Sequence, residues 1–303
     1  MKIKIYWLKF LAYLETLLAM LVYNFHKRIK GVSTVKNIKY KNNGNRYNKF
    51  DIHYKEEDKN SGKKSPIVMY FHGGGWTNYS KHIFTTLTRR LADMGLVVFN
   101  CNYSLSPKYK QEDVLSDAMD ATKYAVSIAE KYGGDTNQII FAGDSAGAHI
   151  STMMQVYANN NIKGFGKFKD KIKALILFYG VYDLNTSLSS QFPKIKAYVQ
   201  ASIHSRIGTE DAEEEMKKYS PMSYDISRFS PCFLASGAVD KLHKSQSLEL
   251  SKQLTKNDVK HKSVFFDDKE YKAMHAFMII DGISTNIKVL SELKKFLNGV
   301  VGE

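Results

Sequence analysis

The sequence predicts an α/β fold, a mostly parallel central sheet with helices on both faces, and three observations predict it. From residue 30 onward, short β-rich runs alternate with amphipathic stretches of helical period. The β-rich runs, such as IVMYF at 67–71 and ALILFY at 174–179, are apolar without alternation. That pattern suits strands covered on both faces, as in parallel sheets packed between helices. Residues 182–225 break the rhythm with an amphipathic stretch (192–206) and an acidic one (Glu210, Asp211, Glu213, Glu214, Glu215). They read as an insertion above the C-terminal edge of the sheet, where open α/β folds bind ligands. The 303 residues are enough for one large domain or two modest ones, and an apolar share of 44% for a sizeable core.

In chain order, 1–30 is a hydrophobic helical segment and 31–303 an α/β domain containing the insertion. Residues 35–40 and 47–54 read as an antiparallel pair joined by Asn42-Asn43-Gly44-Asn45. A lysine-rich linker (55–65) precedes strand 67–71, helix 81–94, strand 96–101 and helix 111–132. Strand 139–142, helix 146–159 and strand 172–179 follow. Beyond the insertion come strand 232–236, helix 245–257, strand 263–266 and helix 284–297. Cys101 and Cys232 each end a strand-like run and read as buried free thiols, and two cysteines exclude a disulfide framework.

Residues 5–25 are strongly apolar but interrupted by Lys9 and Glu15. A charge at mid-bilayer costs about 2.5–3.5 kcal/mol, which favours lying on a membrane surface or tilting over a clean crossing. The other reading is a helix packed on the α/β domain as part of its cap. No small-x-small site precedes the basic run, so a cleaved signal is not expected. Of the net charge of +14, residues 27–64 carry +8, from twelve Lys/Arg and four acids. Residues 1–64 are therefore a candidate surface for an anionic membrane. The alternative is a solvated lysine surface. No zinc-finger spacing or aromatic RNA-binding signature supports a nucleic-acid partner. The expected location is cytoplasmic, with attachment through the N-terminal helix as one reading.

The chemistry centres on Gly143-Asp144-Ser145-Ala146-Gly147, set between strand and helix. This is a nucleophile elbow, G-x-S-x-G, in the strand–turn–helix context that it requires. The glycines permit a tight turn that lifts the Ser145 hydroxyl clear of the sheet. After strand 67–71 comes His72-Gly73-Gly74-Gly75-Trp76. Consecutive glycines let backbone N–H groups turn inward, and with the N–H of Ala146 they would form an oxyanion hole. His72 reads as a brace for that loop. Serine needs a base, and the base an orienting acid, in chain order Ser, Asp/Glu, His. Asp240 ends one strand-like run and His275 follows another, on the same edge as the elbow. Asp183, Asp267 and Asp268 are the rival acids. His243 and His261 read as solvated, and His149 as packed. Neither a metal nor an organic cofactor is expected, and the partner is a small-molecule ester.

These motifs, with His275-Ala276-Phe277 and the Tyr103, Leu105, Pro107 segment, resemble the hormone-sensitive-lipase-like branch of the α/β-hydrolases. The resemblance covers roughly 65–298. It implies an α/β-hydrolase fold with a helical cap built from the N-terminus and 182–225. It also implies Gly74 and Gly75 as the loop half of the oxyanion hole, opposite Ala146. The implied activity is a serine carboxylesterase for short-to-medium acyl esters, with Ser145, His275 and Asp240 as the triad. Ser104 stands where this branch carries Arg, and Ala276 where it carries Gly. Ala148-His149 is also similar to kynurenine-formamidase-like and feruloyl-esterase-like relatives, so an amide hydrolase is the alternative activity. A lipase acting at a membrane is another.

Overall fold

Six consecutive strands with unbroken apolar runs can bury both faces only if helices cover each side, and the chain does this. The computed structural model describes residues 27–62, 64–189, 199–200, 203, 210–267 and 269–301. The apolar N-terminal segment 5–25 and the amphipathic stretch 192–206, apart from 199–200 and 203, lie outside them. Strands β1 (Val32–Lys39), β2 (Lys49–Lys55), β3 (Ser65–Phe71), β4 (Val97–Cys101), β5 (Gly134–Asp144), β6 (Ile172–Phe178), β7 (Cys232–Gly237) and β8 (His261–Phe266) form one sheet. Its order is β1-β2-β4-β3-β5-β6-β7-β8. The first two strands run antiparallel, with β2 antiparallel to β4, and every later pairing is parallel.

Side chains alternate across a strand, so each buried strand feeds two cores. Ile67, Met69 and Phe71 of β3 face one layer, and Val68 and Tyr70 the other. The first core takes in α2 (Gln111–Ile128), α3 (Ala146–Asn159), α4 (Glu210–Lys218) and α5 (Leu248–Lys256). The second takes in α1 (Thr85–Asp93) and α6 (Ser284–Asn298) through Leu87, Leu91, Val289 and Leu293.

Several boundaries differ from the sequence reading. β5 begins at Gly134 rather than 139, because Gly134 and Asp135 pair with Ser65 and Pro66 before the apolar stretch starts. The helix read over 111–132 ends at Ile128 and finishes as a 3-10 turn, and 81–84 is likewise a 3-10 turn before α1. The linker contains a short helix, Glu56–Asn60. Residues 162–171 form 3-10 turns that no periodicity announced. Cys101 and Cys232 are buried free thiols.

Two ion clusters fasten the domain. Lys81 and Asp51 pair at 2.6 Å, both fully buried, and Asn37 Oδ1 accepts a second bond from Lys81 Nζ. Burial pushes the Lys81 ammonium down and Asp51 partly restores it. Asn102 and Asn100 hold the Lys81 main chain, fixing the start of the α1 segment to β4. On the far side of α1, Arg90 grips Asp281 with two bonds of 3.0 Å, and Lys27 Nζ joins them at 3.0 Å. The Lys27 N–H donates to Thr86, and its carbonyl accepts from Arg89. The described chain therefore enters clamped between α1 and the segment following His275. Among the described residues, no helix is long and apolar enough to cross a membrane.

Candidate active site

Parallel pairing brings the ends of β3, β5, β6, β7 and β8 to one edge; Ser145 follows β5 directly, and Asp240 and His275 lie in the loops after β7 and β8. Ser145 follows β5 with φ 49° and ψ −118°, outside the regions that side-chain-bearing residues prefer. Such a conformation costs about 1–3 kcal/mol and persists only where its surroundings enforce it. Here the Ser145 N–H is tied to Phe178 O (2.9 Å) and its carbonyl begins α3 through His149 N (3.2 Å). A Cβ at Gly147 would stand 1.9 Å from Phe71 O, and one at Gly143 2.4 Å from the Gly147 carbonyl carbon. The elbow glycines are thus required by close backbone approach.

The structure brings Ser145, His275 and Asp240 into one hydrogen-bonded chain. His275 Nε2 lies 3.0 Å from Ser145 Oγ, and Nδ1 lies 2.7 Å from Asp240 Oδ2. With the Nδ1–H donating to the carboxylate, Nε2 is the acceptor for the serine hydroxyl. Asp240 is buried, and its Oδ1 accepts the Leu242 N–H at 3.0 Å. His275 is 39% exposed, so the reacting edge is open to ligand. The Tyr179 ring meets the imidazole edge-on at 5.0 Å. Ala276 takes a left-handed backbone, φ 70°, which explains why the resembling branch uses glycine there.

The loop His72–Trp76 lies against the elbow, because Phe71 of β3 pairs with Gly143 of β5. Gly74 (φ 120°), Gly75 (φ 59°) and Trp76 (φ 58°) turn sharply, and Gly74 O accepts the N–H groups of Thr77 and Asn78. Among the described residues, no protein acceptor is paired with the N–H groups of Gly74, Gly75 or Ala146. The Gly73 N–H is committed, donating to Asp144 Oδ1 at 2.8 Å. His72 Nδ1 donates to Gly73 O at 2.7 Å while its ring stacks between Tyr103 (4.4 Å) and Phe84 (5.9 Å). Burial pushes its pKa down to about 4, so the brace is a neutral imidazole.

The rival residues stand elsewhere. Asp183 accepts Asn185 N–H and the Thr186 hydroxyl, and Asp267 accepts Lys269 N–H. Asp268 lies outside the described residues. His261 Nδ1 donates to Val259 O. His243, read as solvated, is buried: Nδ1 shares a 2.7 Å hydrogen bond with Ser236 Oγ and the ring meets Phe265 edge-on. His149 is packed as read, but it is also bonded at both nitrogens.

The sequence reading missed Asp144 and Tyr70. Asp144 is buried, accepts Tyr70 O–H at 2.9 Å as well as Gly73 N–H, and is pushed up to about 7 by burial. The signal was present: a carboxylate inside a turn flanked by apolar strand and helix must find donors. Among the described residues, no three of His, Cys, Asp or Glu gather in a group that could hold a metal ion. The arrangement as it stands offers a hydroxyl, a base oriented by a buried acid, and nearby unpaired backbone donors.

Comparison with known proteins places the chain in a family. Over 205 residues the chain is 29% identical to the esterase LipQ of Mycobacterium tuberculosis, covering 66% of this chain and 47% of that protein. It is 27% identical over 187 residues to the acetyl esterase of Salmonella typhi, covering 58% and 55%. The chain spans about half the length of these curated relatives. Among solved structures, esterase B from Lactobacillus rhamnosis superposes with a TM-score of 0.80 at 17% identity, covering 98% of this chain and 95% of that one. The esterase of Pyrobaculum calidifontis gives 0.73 at 19%, covering 97% and 92%. The fold is that of the α/β-hydrolases. The family model BD-FAE matches residues 50–254, from β2 through the elbow and past Asp240 into α5, and the chain belongs to the BD-FAE family.

Proposed function

We propose that the protein is a serine carboxylesterase, and the Asp240–His275–Ser145 hydrogen-bonded chain is the observation that carries this reading. Ser145 Oγ attacks the ester carbonyl carbon while His275 Nε2 takes its proton. Asp240 holds the imidazole in place and stabilises its positive charge. The developing oxyanion is bound by N–H groups of Gly74, Gly75 and Ala146, each such donor being worth about 2.7–4 kcal/mol in the transition state. His275 then gives its proton to the departing alcohol, leaving an acyl ester on Ser145. Water attacks that ester under the same base, releasing the acid and restoring the serine hydroxyl. The names of the relatives, esterase LipQ and acetyl esterase, support an ester as the substrate. The acyl group is of short to medium length.

Hydrolysis of a p-nitrophenyl ester series from acetate to palmitate tests this, with Ser145→Ala as control and fluorophosphonate labelling of the serine. The expected outcome is Ser145-dependent turnover that peaks at acetate to octanoate. A peak at palmitate makes the protein a lipase. Labelling without ester turnover, together with cleavage of a formyl amide, makes it an amide hydrolase. Full activity in Ser145→Ala removes the mechanism.

A second part of the proposal concerns the basic stretch. Arg28, Lys30, Lys36, Lys39 and Arg46 are exposed, and Lys36 and Lys39 lie on the edge strand β1. We infer that this face meets an anionic membrane surface together with the N-terminal segment. Flotation with anionic liposomes is expected to need residues 1–30 and to weaken with salt. Equal flotation without that segment excludes its part.

A further inference from the structure

His149 sits four residues past Ser145 on α3, fully buried, and it joins three separate segments through one ring. Nε2 lies 2.7 Å from the carbonyl of Tyr219, just past α4 in the inserted segment. A carbonyl only accepts, so Nε2 carries the proton and Nδ1 presents a lone pair. Two donors face that lone pair at 3.2 Å each: Trp76 Nε1, directly after the Gly74-Gly75 turn, and Gln111 Nε2, in the first turn of α2. The Trp76 indole also meets the imidazole edge-on at 5.2 Å.

The hydrogen-bond logic is one-directional. Turning the Gln111 amide over would set its oxygen against the Nδ1 lone pair, so the neutral tautomer fixes that amide too. Among the described residues the buried Gln111 Oε1 has no protein partner, a cost accepted to keep the donor on His149. Burial pushes the His149 pKa down to about 4, so the tautomer that the geometry needs is the one present at neutral pH. None of the three partners is close to His149 in sequence, so the ring is where their relative positions are set.

We propose that His149 is a positioning residue for the oxyanion loop, relaying the seating of the inserted segment at Tyr219 to Trp76 and so to the N–H groups of Gly74 and Gly75. It touches neither substrate nor the reacting atoms. The proposal rests on the esterase reading of the site. It extends that reading by making the loop's geometry depend on a contact with the insertion.

The test is a double-mutant cycle with His149→Phe and Trp76→Phe, read on p-nitrophenyl acetate, with circular-dichroism melting as a folding control. Each single change is expected to lower kcat about tenfold with KM altered less than about threefold. The double variant is expected to be no worse than the poorer single, because both remove the same contact. His149→Gln, which keeps a donor and an acceptor, is expected to retain more kcat than His149→Phe, and replaces it in the cycle if the phenylalanine variant does not fold. Multiplicative effects, or a lowered melting temperature with unchanged kcat, overturn the proposal. A readout independent of turnover separates this from failure of the esterase reading. The chain has two tryptophans, so in a Trp7→Phe background the emission reports Trp76 alone. A shifted emission in His149→Gln or His149→Phe is expected, and an unchanged one overturns the proposal even if the wild-type serine proves unreactive.

Discussion

Gly73 and Asp144 fix one another: the Gly73 N–H donates to the Asp144 carboxylate at 2.8 Å, and a Cβ at position 73 would stand 2.4 Å from the same side chain. The residue before Ser145 thus sets the position of the loop whose next N–H groups, among the described residues, face no protein acceptor. Gly73→Ala must push loop and elbow apart. The expected result is a fall in kcat of about 10²–10³, the size of one lost oxyanion donor. Steady-state kinetics check it, and a variant with wild-type kcat refutes the coupling.

Acid sensitivity follows from four buried groups of two signs. Burial holds His53 down to about 3 and His72 and His149 to about 4, so the fold keeps them neutral. Their stabilisation is present above the unfolded value of 6.5 and is lost as pH falls towards 4. Asp144, raised to about 7 by burial, acts the other way, stabilising at low pH and losing that contribution as pH rises through about 7. At pH 5 these groups leave the unfolded chain holding roughly two more protons than the folded one. Melting temperature should fall from pH 7.5 to 5, and more steeply in Asp144→Asn, which loses the opposing group. A rise on acidification contradicts this assignment.

Two glycines separate steric need from conformational need. Gly147→Ala would drive a Cβ to 1.9 Å from the Phe71 carbonyl oxygen, against backbone that cannot yield. Loss of soluble, cooperatively melting protein is expected. At Gly44 (φ 75°) a Cβ meets nothing within 4 Å. Gly44→Ala should cost only about 1 kcal/mol, from the left-handed backbone alone. Chemical denaturation distinguishes them, and equal losses would show that the elbow can relax.

Ala276 occupies a backbone conformation that suits glycine, one residue past His275. Ala276→Gly should stabilise the protein by about 0.5–1 kcal/mol, since relief of the strained Cβ outweighs the added freedom of the unfolded chain. Denaturant midpoints measure it. A destabilised variant would show that packing of the Ala276 methyl outweighs its backbone strain.

What the sequence conveyed depended on whether the information was local. The strands of the parallel sheet were legible because each is an apolar run bounded by turns. The placement of Ser145 at a strand end, and of Asp240 and His275 in the loops that follow two others, was legible for the same reason. β5 was read short because Gly134 and Asp135 look like loop and become strand only by pairing with Ser65 and Pro66. His243 was misread because its partners, Ser236 and Phe265, are brought to it by neighbouring strands. The Lys81–Asp51 pair spans thirty residues, and a lysine read alone gives no hint that it is buried. Asp144 was overlooked for the opposite reason: its position in the motif drew attention to the serine beside it.

The clamp at Lys27 has a mechanical consequence. Asp281, which holds both Lys27 and Arg90, lies six residues beyond His275 in the same irregular stretch of chain. A pull on the chain ahead of Lys27 is therefore shared between α1 and the tether of the histidine loop before it reaches the sheet. Anything that anchors the front of the chain also holds one end of the loop that carries the imidazole.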